Sequence, residues 1–340
     1  MFNESIKYGI IQMFEKNFEV KPGESILILA DFPTERELLN LSRESINNMI
    51  ERVFLARYIY TIGSELNYKI FLKLYPATGQ SGSEVPKEVA DLMSKYDIFI
   101  AITTYSLTHT SARLNATDVH GARGASCPGI TPDMFDKNGA MQIDHESMIS
   151  FTNKLAEHIR NASNGKIISP NGTIIQFKIP KNNIRTDTGI IKNPGDFSNL
   201  PAGEVYFPPI KGTTNGKLIV SKGWFKDLDS DMILIIKDGL VQEIQNGGKI
   251  GQKFRTLLFD KNIDENVRLS RRNIAEIGIG TNPNAKNPLN LLEAEKIKGT
   301  CHLAIGDNHT FGGTVEADIH IDFVIPDTKL LLDDTEFLLY

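Results

Sequence analysis

The sequence predicts an α/β fold in two parts: an N-terminal α/β domain with a mainly parallel sheet over residues 1–162, then an α+β domain over residues 163–340. Three observations predict it. A chain of 340 residues exceeds the usual single domain. Short apolar runs alternate with segments of helical period up to about residue 160. Beyond that point, strands joined by tight turns take over.

Taking the elements in order, Ile6, Ile10, Met13 and Phe14 recur at helical spacing, and residues 25–30 (SILILA) form an apolar run suited to a buried strand. Thr34 and Glu37 have capping-box spacing just after Pro33, and Leu38, Leu39 and Ile46 give the helix that follows an apolar side. Further strands are expected near residues 53–60 and 97–103, covered by helices on both faces. Met148, Phe151, Leu155 and Ile159 mark the last helix of the domain, which gives way to a polar stretch at 161–165 (NASNG). In the second domain Pro170, Asn171 and Gly172 punctuate one hairpin. Asp238-Gly239, between apolar runs at 232–236 and 240–244, has the residues that a two-residue hairpin turn requires.

Hydrophobic residues make up 41% and charged residues 23%, as in ordinary globular proteins. The net charge of −5 offers no broad basic surface, so nucleic acid is not an expected partner. No apolar run approaches the roughly 18 residues a membrane span needs, and the N-terminal MFNESIKYGI lacks the basic cluster and cleavage site of an export signal. Two cysteines, Cys127 and Cys301, have neither disulfide-framework nor zinc spacing. A soluble, cytoplasmic protein without membrane partners is the expectation.

The chemistry concentrates in the second domain. In His320-Ile321-Asp322 the two polar side chains share one face of a strand, with Ile319, Ile321 and Phe323 on the other. In Cys301-His302-Leu303-Ala304-Ile305-Gly306, His302 lies with small Ala304 and Gly306, which leave room for a substrate, while Cys301 falls on the apolar side as packing. Glu276, inside Ile274-Ala275-Glu276-Ile277, is a carboxylate among residues that are normally buried. Burying it unpaired costs several kcal/mol, so it needs a cation. Glu204 poses the same question, and His309, near Gly312 and Gly313, can enter from a loop. A lone His or Glu is more often structural or solvated. What favours a metal site is that Glu276, His302, His320 and Asp322 fall within 47 residues.

The first domain adds His109, in Ser106-Leu107-Thr108-His109-Thr110, as a candidate general base or substrate contact, with Arg113 or Arg123 to bind a carboxylate. A plain helix-capping role for the same stretch ranks at least equal. Gly278-Ile279-Gly280 lacks the third glycine of a dinucleotide fingerprint, and no nucleotide cofactor is expected.

Asn199-Leu200-Pro201-Ala202-Gly203-Glu204-Val205, Arg272-Asn273-Ile274-Ala275-Glu276 with Gly280-Thr281-Asn282-Pro283, His302-Leu303-Ala304-Ile305-Gly306 and His320-Ile321-Asp322 resemble, in order, the metal-ligand motifs of the aminopeptidase T family. The resemblance is close over residues 199–325 and loose before them. It implies a pair of divalent ions, zinc, cobalt or manganese, held by Glu204, Glu276, His302, His320 and Asp322, with His309 standing where the family has a tyrosine. It further implies a homodimeric aminopeptidase acting on short peptides through a metal-activated water. Glu276 is then the base if it stays out of contact with the ions; if it bridges them, another group must serve. The C-terminal segments 329–332 and 337–340 are expected to be covered by packing or by a partner. With only 18 positions from His302 to His320, the chain is also similar to a shorter branch, the dihydroxypyridine dioxygenases. These imply a single Fe(II) on two histidines and a carboxylate, and ring opening of a hydroxylated aromatic or heteroaromatic acid.

Overall fold

The computed structural model describes residues 3–339. The chain forms two compact units, one of residues up to 145 with 188–202, the other of 146–187 with the residues from 203 on. The sequence reading placed a single boundary at 162; here the helix His145–Asn161 falls almost wholly in the second unit.

The first unit carries a five-stranded sheet in the order Lys69–Pro76, Ser25–Phe32, Ile98–Ala101, Arg123–Ser126, Phe197–Asn199. All four pairings are parallel, which gives the expected α/β fold. Leu27, Leu29, Phe99 and Ala101 of this sheet pack with Val89 and Met93 of the helix Lys87–Met93. The strand expected near 53–60 is instead part of the helix Arg43–Glu65. Its aromatic and β-branched residues suggest a strand, but the buried positions Met49, Arg52, Leu55, Ala56, Ile59, Ile62 and Gly63 step by three and four. The Thr34–Glu37 capping box is present, yet Leu38 and Leu39 are exposed and the helix Glu35–Asn40 buries Glu37.

Arg123 is committed to this architecture. Its buried guanidinium donates to the carbonyls of Phe18 and Ile191 and pairs with Glu24, so it is not free to bind a substrate carboxylate. Arg123→Ala strands those acceptors and is expected to cost about 3–5 kcal/mol, read as a lower urea midpoint with an unchanged slope.

The second unit holds two antiparallel sheets. One has seven strands in the order Leu240–Asn246, Met232–Lys237, Asn215–Val220, Ile174–Lys178, Asn164–Ile168, Lys329–Leu332, Thr335–Phe337. Asp238 and Gly239 both take positive φ, 51° and 74°, in the turn joining its first two strands. Leu330 and Leu332 of the C-terminal segment are buried in this sheet, Leu338 is exposed, and Tyr340 lies outside the described residues. The other sheet has five strands: His320–Ile325, Cys301–Gly306, Ile274–Gly280, Glu204–Phe207, Arg185–Asp187. One apolar cluster joins the two sheets. Ile167, Ile175, Leu218 and Leu234 meet Val205, Phe207, Ile277, Ile279, Leu303 and Phe323, with the Phe177 and Phe207 rings 6.0 Å apart. Because side chains alternate along a strand, the residues between those core positions all face away from this cluster.

Candidate metal centre

The face turned away from the core carries the polar residues. Register sets Gly278 between Tyr206 and His302, Ala304 between Glu276 and Asp322, and Gly306 beside His320. The small residues are functional in the geometric sense. A Cβ on Gly278 would lie 2.0 Å from the His302 ring, so the imidazole lies over the bare strand and reaches Glu276.

Ligand atoms of Glu276, His302 and Asp322 all lie within 4.8 Å of one another. His302 Nε2 is 3.3 Å from Glu276 Oε1, and His320 Nε2 is 3.5 Å from both Glu276 Oε2 and Asp322 Oδ1. Those spacings lie at or beyond the long end of the hydrogen-bond range. They match the separation of roughly 3–3.5 Å between neighbouring donors that share one ion at about 2.0–2.2 Å. His320 Nδ1 is 2.7 Å from the Asp307 carbonyl, which can only accept. In the neutral ring the proton therefore sits on Nδ1 and the Nε2 lone pair faces the carboxylates, as in a supported metal ligand. This donor set fits a divalent ion. The aromatic rings of Phe311 and Tyr206 continue the face beyond His320, with centroids 5.8 Å and 5.9 Å apart along the series His320, Phe311, Tyr206.

The electrostatics agree. Burial disfavours charge on both imidazoles, yet the carboxylates outweigh it. The hydrogen bond to Glu276 and the charges of Glu204, Glu295 and Glu276 raise His302 to about 9. Asp322 and Glu276 raise His320 to about 10. Burial also opposes ionisation of Asp322, but His320 holds it below the usual carboxylate range. Without an ion both rings are thus protonated at pH 7, whereas ligation requires neutral imidazole. Loading a divalent ion at pH 7 is expected to release about two protons, and affinity should climb with pH until the rings deprotonate unaided. Calorimetry in buffers of different ionisation enthalpy measures the release; ion uptake with no buffer dependence contradicts it.

Not every candidate joins the group. His309 is half-exposed, its Nδ1 2.6 Å from Asp307 Oδ1. Glu204 is buried, but its Oε1 accepts from Lys296 Nζ at 2.7 Å, and Oε2 has no hydrogen-bond partner, with His302 Nε2 3.6 Å away. His109 is exposed in the turn before a short helix. There Thr110 accepts from the Arg113 amide, and Arg113 Nε donates to the Thr108 carbonyl at 2.6 Å, so the stretch does act as a cap. Cys301 is buried on the core side, its thiol pushed up to about 12 by burial. The residue missed by sequence reasoning is Lys296. Its side chain is 2% exposed and also contacts Glu295 Oε2 at 3.2 Å. Burial works against its charge, but the Glu204 and Glu295 carboxylates more than restore it. Burial and the nearby Asp322 charge in turn push Glu295 up to about 8.

The site thus belongs to a metal-binding protein with mixed imidazole and carboxylate donors. Residues 9–339 match the NicX family of 2,5-dihydroxypyridine 5,6-dioxygenases, and the chain belongs to that family. Among solved structures it is similar to 2,5-dihydroxypyridine dioxygenase from Pseudomonas putida KT2440, at 16% identity and a TM-score of 0.71, covering 98% of this chain and 96% of that one. It is also similar to wild-type AmpT from Thermus thermophilus, at 12% identity and a TM-score of 0.63, covering 100% and 98%. These two likenesses are of fold. No curated protein sequence matches significantly.

The family match overturns the aminopeptidase reading. The likeness to AmpT holds at the level of fold. The hydrolase, protease and peptide-substrate expectations fall with it. The physical reason is that carboxylates and imidazoles serve a Lewis-acid ion and a redox ion alike, so the donors do not by themselves select the chemistry. Among the described residues no helix is long and apolar enough to cross a membrane.

Proposed function

We propose that the protein is an Fe(II)-dependent dioxygenase that opens the ring of 2,5-dihydroxypyridine or a closely similar hydroxylated heteroaromatic acid. The observation that carries this reading is family membership across residues 9–339; the pairing of two histidines with Asp322 at one end of the five-stranded sheet supports it. His302, His320 and Asp322 are the proposed ligands, a set of two histidines and one carboxylate that leaves positions open for substrate and oxygen. When bound, the ferrous ion supplies the redox chemistry by which dioxygen adds to a ring carbon–carbon bond.

The remaining residues bind, orient and move protons. Glu276, with one oxygen toward each imidazole, is placed to accept a hydroxyl proton of the substrate on its carboxylate. Phe311 and Tyr206 offer ring faces and edges against which a planar heterocycle packs. Ala304 and Gly306 keep the strand low beside Asp322 and His320.

An oxygen electrode tests the reading. Anaerobically loaded protein should consume one O2 per 2,5-dihydroxypyridine, and aminoacyl amides should remain intact. Glu276→Gln should keep its iron while turnover falls by about 10²–10⁴. Peptide cleavage without oxygen uptake would refute the proposal. A homodimer is likewise proposed, and light scattering at micromolar concentration tests it.

A further inference from the structure

Lys296 is a buried lysine whose ammonium is tied to carboxylates outside the proposed ligand set. Its Nζ lies 2.7 Å from Glu204 Oε1 and 3.2 Å from Glu295 Oε2. Its backbone is fixed as firmly as its side chain. The Lys296 carbonyl accepts from the Asn282 amide at 2.8 Å, and the Lys298 amide donates to the Asn282 carbonyl at 3.0 Å. Ile297 bridges to Asn282 in parallel register. Gly280 permits this approach, since a Cβ there would meet the Ile297 carbonyl oxygen at 2.2 Å. The ammonium is therefore held in place by the sheet and does not reach in from solvent as a surface lysine would.

Glu204 is the neighbour of Gly280 on one side and of Asp187 on the other. Glu204 and Glu295 both contact the Lys296 ammonium, and the charge of Asp187 also acts on it. Carboxylates are the donors that a hard divalent ion accepts, and here the ammonium occupies the position between Glu204 and Glu295.

We infer that Lys296 is an internal cation that keeps Glu204 out of the metal's coordination and thereby limits the site to one divalent ion. This rests on the metal-site reading above. Glu204 then acts as a positioning residue, its orphaned Oε2 lying 3.6 Å from His302 Nε2 while Oε1 stays with lysine.

The test is the ion count of protein reconstituted anaerobically with Mn(II) or Co(II), measured by elemental analysis after gel filtration. Wild type should hold about one ion per chain, Lys296→Arg about one, and Lys296→Met about two, the second ion replacing the lost charge. Glu204→Gln should retain its single ion. Two ions in wild type, one ion in a Lys296→Met protein of native circular dichroism, or loss of the ion from Glu204→Gln would each overturn the inference. Should Lys296→Met fail to fold, Lys296→Gln is counted in its place, with about two ions expected and one ion overturning the inference. Oxygen uptake is read separately, so ring-opening activity can fail while the ion counts stand.

Discussion

Asp322→Ala is expected to strip the protein of its ion and reduce oxygen uptake to background. The substitution removes the only carboxylate in the proposed ligand set and the partner that holds His320 Nε2 at 3.5 Å. Changes to groups that merely support a ligand typically cost about 10–100-fold in metal affinity, and loss of a ligand should exceed the upper figure. Metal content after gel filtration reads the effect directly, and circular dichroism reports whether the sheet survives. An Asp322→Ala protein that keeps stoichiometric iron would remove Asp322 from the ligand set.

Gly278→Ala should come close to it while leaving every proposed ligand residue in the sequence. The added methyl would sit 2.0 Å from the His302 imidazole. That ring lies in a fully buried strand and is 1% exposed. Either the ring tilts out of the Glu276 and Asp322 group or the strands part. Overpacking of this kind costs about 1–3 kcal/mol in stability. Displacing a ligand should weaken metal binding by at least about 100-fold. Thermal unfolding with and without added ion separates the two effects: the destabilisation persists in both, whereas the rise in midpoint on adding ion should vanish. A full ion-dependent rise in the variant would show that His302 is not placed by Gly278.

The alternation in 301–306 and 320–325 made the metal face readable from sequence, because a period of two leaves only one way to sort a strand's residues between core and front. Glu276 was legible for a related reason: a charged residue inside an apolar strand demands a compensating charge. Lys296 was not. It sits in Glu295-Lys296-Ile297-Lys298-Gly299, which reads as an ordinary solvated turn, and only the crossing over Gly280 buries it. His309 was misleading because proximity to glycines in sequence says nothing about which side of the loop faces the donors; its ring turns to Asp307. In the first unit, residues 53–60 carry strand-like composition, yet tertiary burial at helical spacing decided the element. The choice between hydrolase and oxygenase lay beyond the donor pattern, since both chemistries draw on the same side chains.

The strand His320–Ile325, which supplies two of the proposed ligands, stands at the end of the five-stranded sheet with a hydrogen-bonded neighbour on one side only. End strands open locally at lower free energy than the strands they flank. On the proposed function, release of the ion would then proceed by brief fraying of one strand, with Glu276 and His302 still seated in the interior of the sheet. The half of the site that remains is a preformed cradle. An ion could return to it without refolding, so on the proposed function the lifetime of the bound ion would follow the opening of an edge strand and not the global stability of the protein.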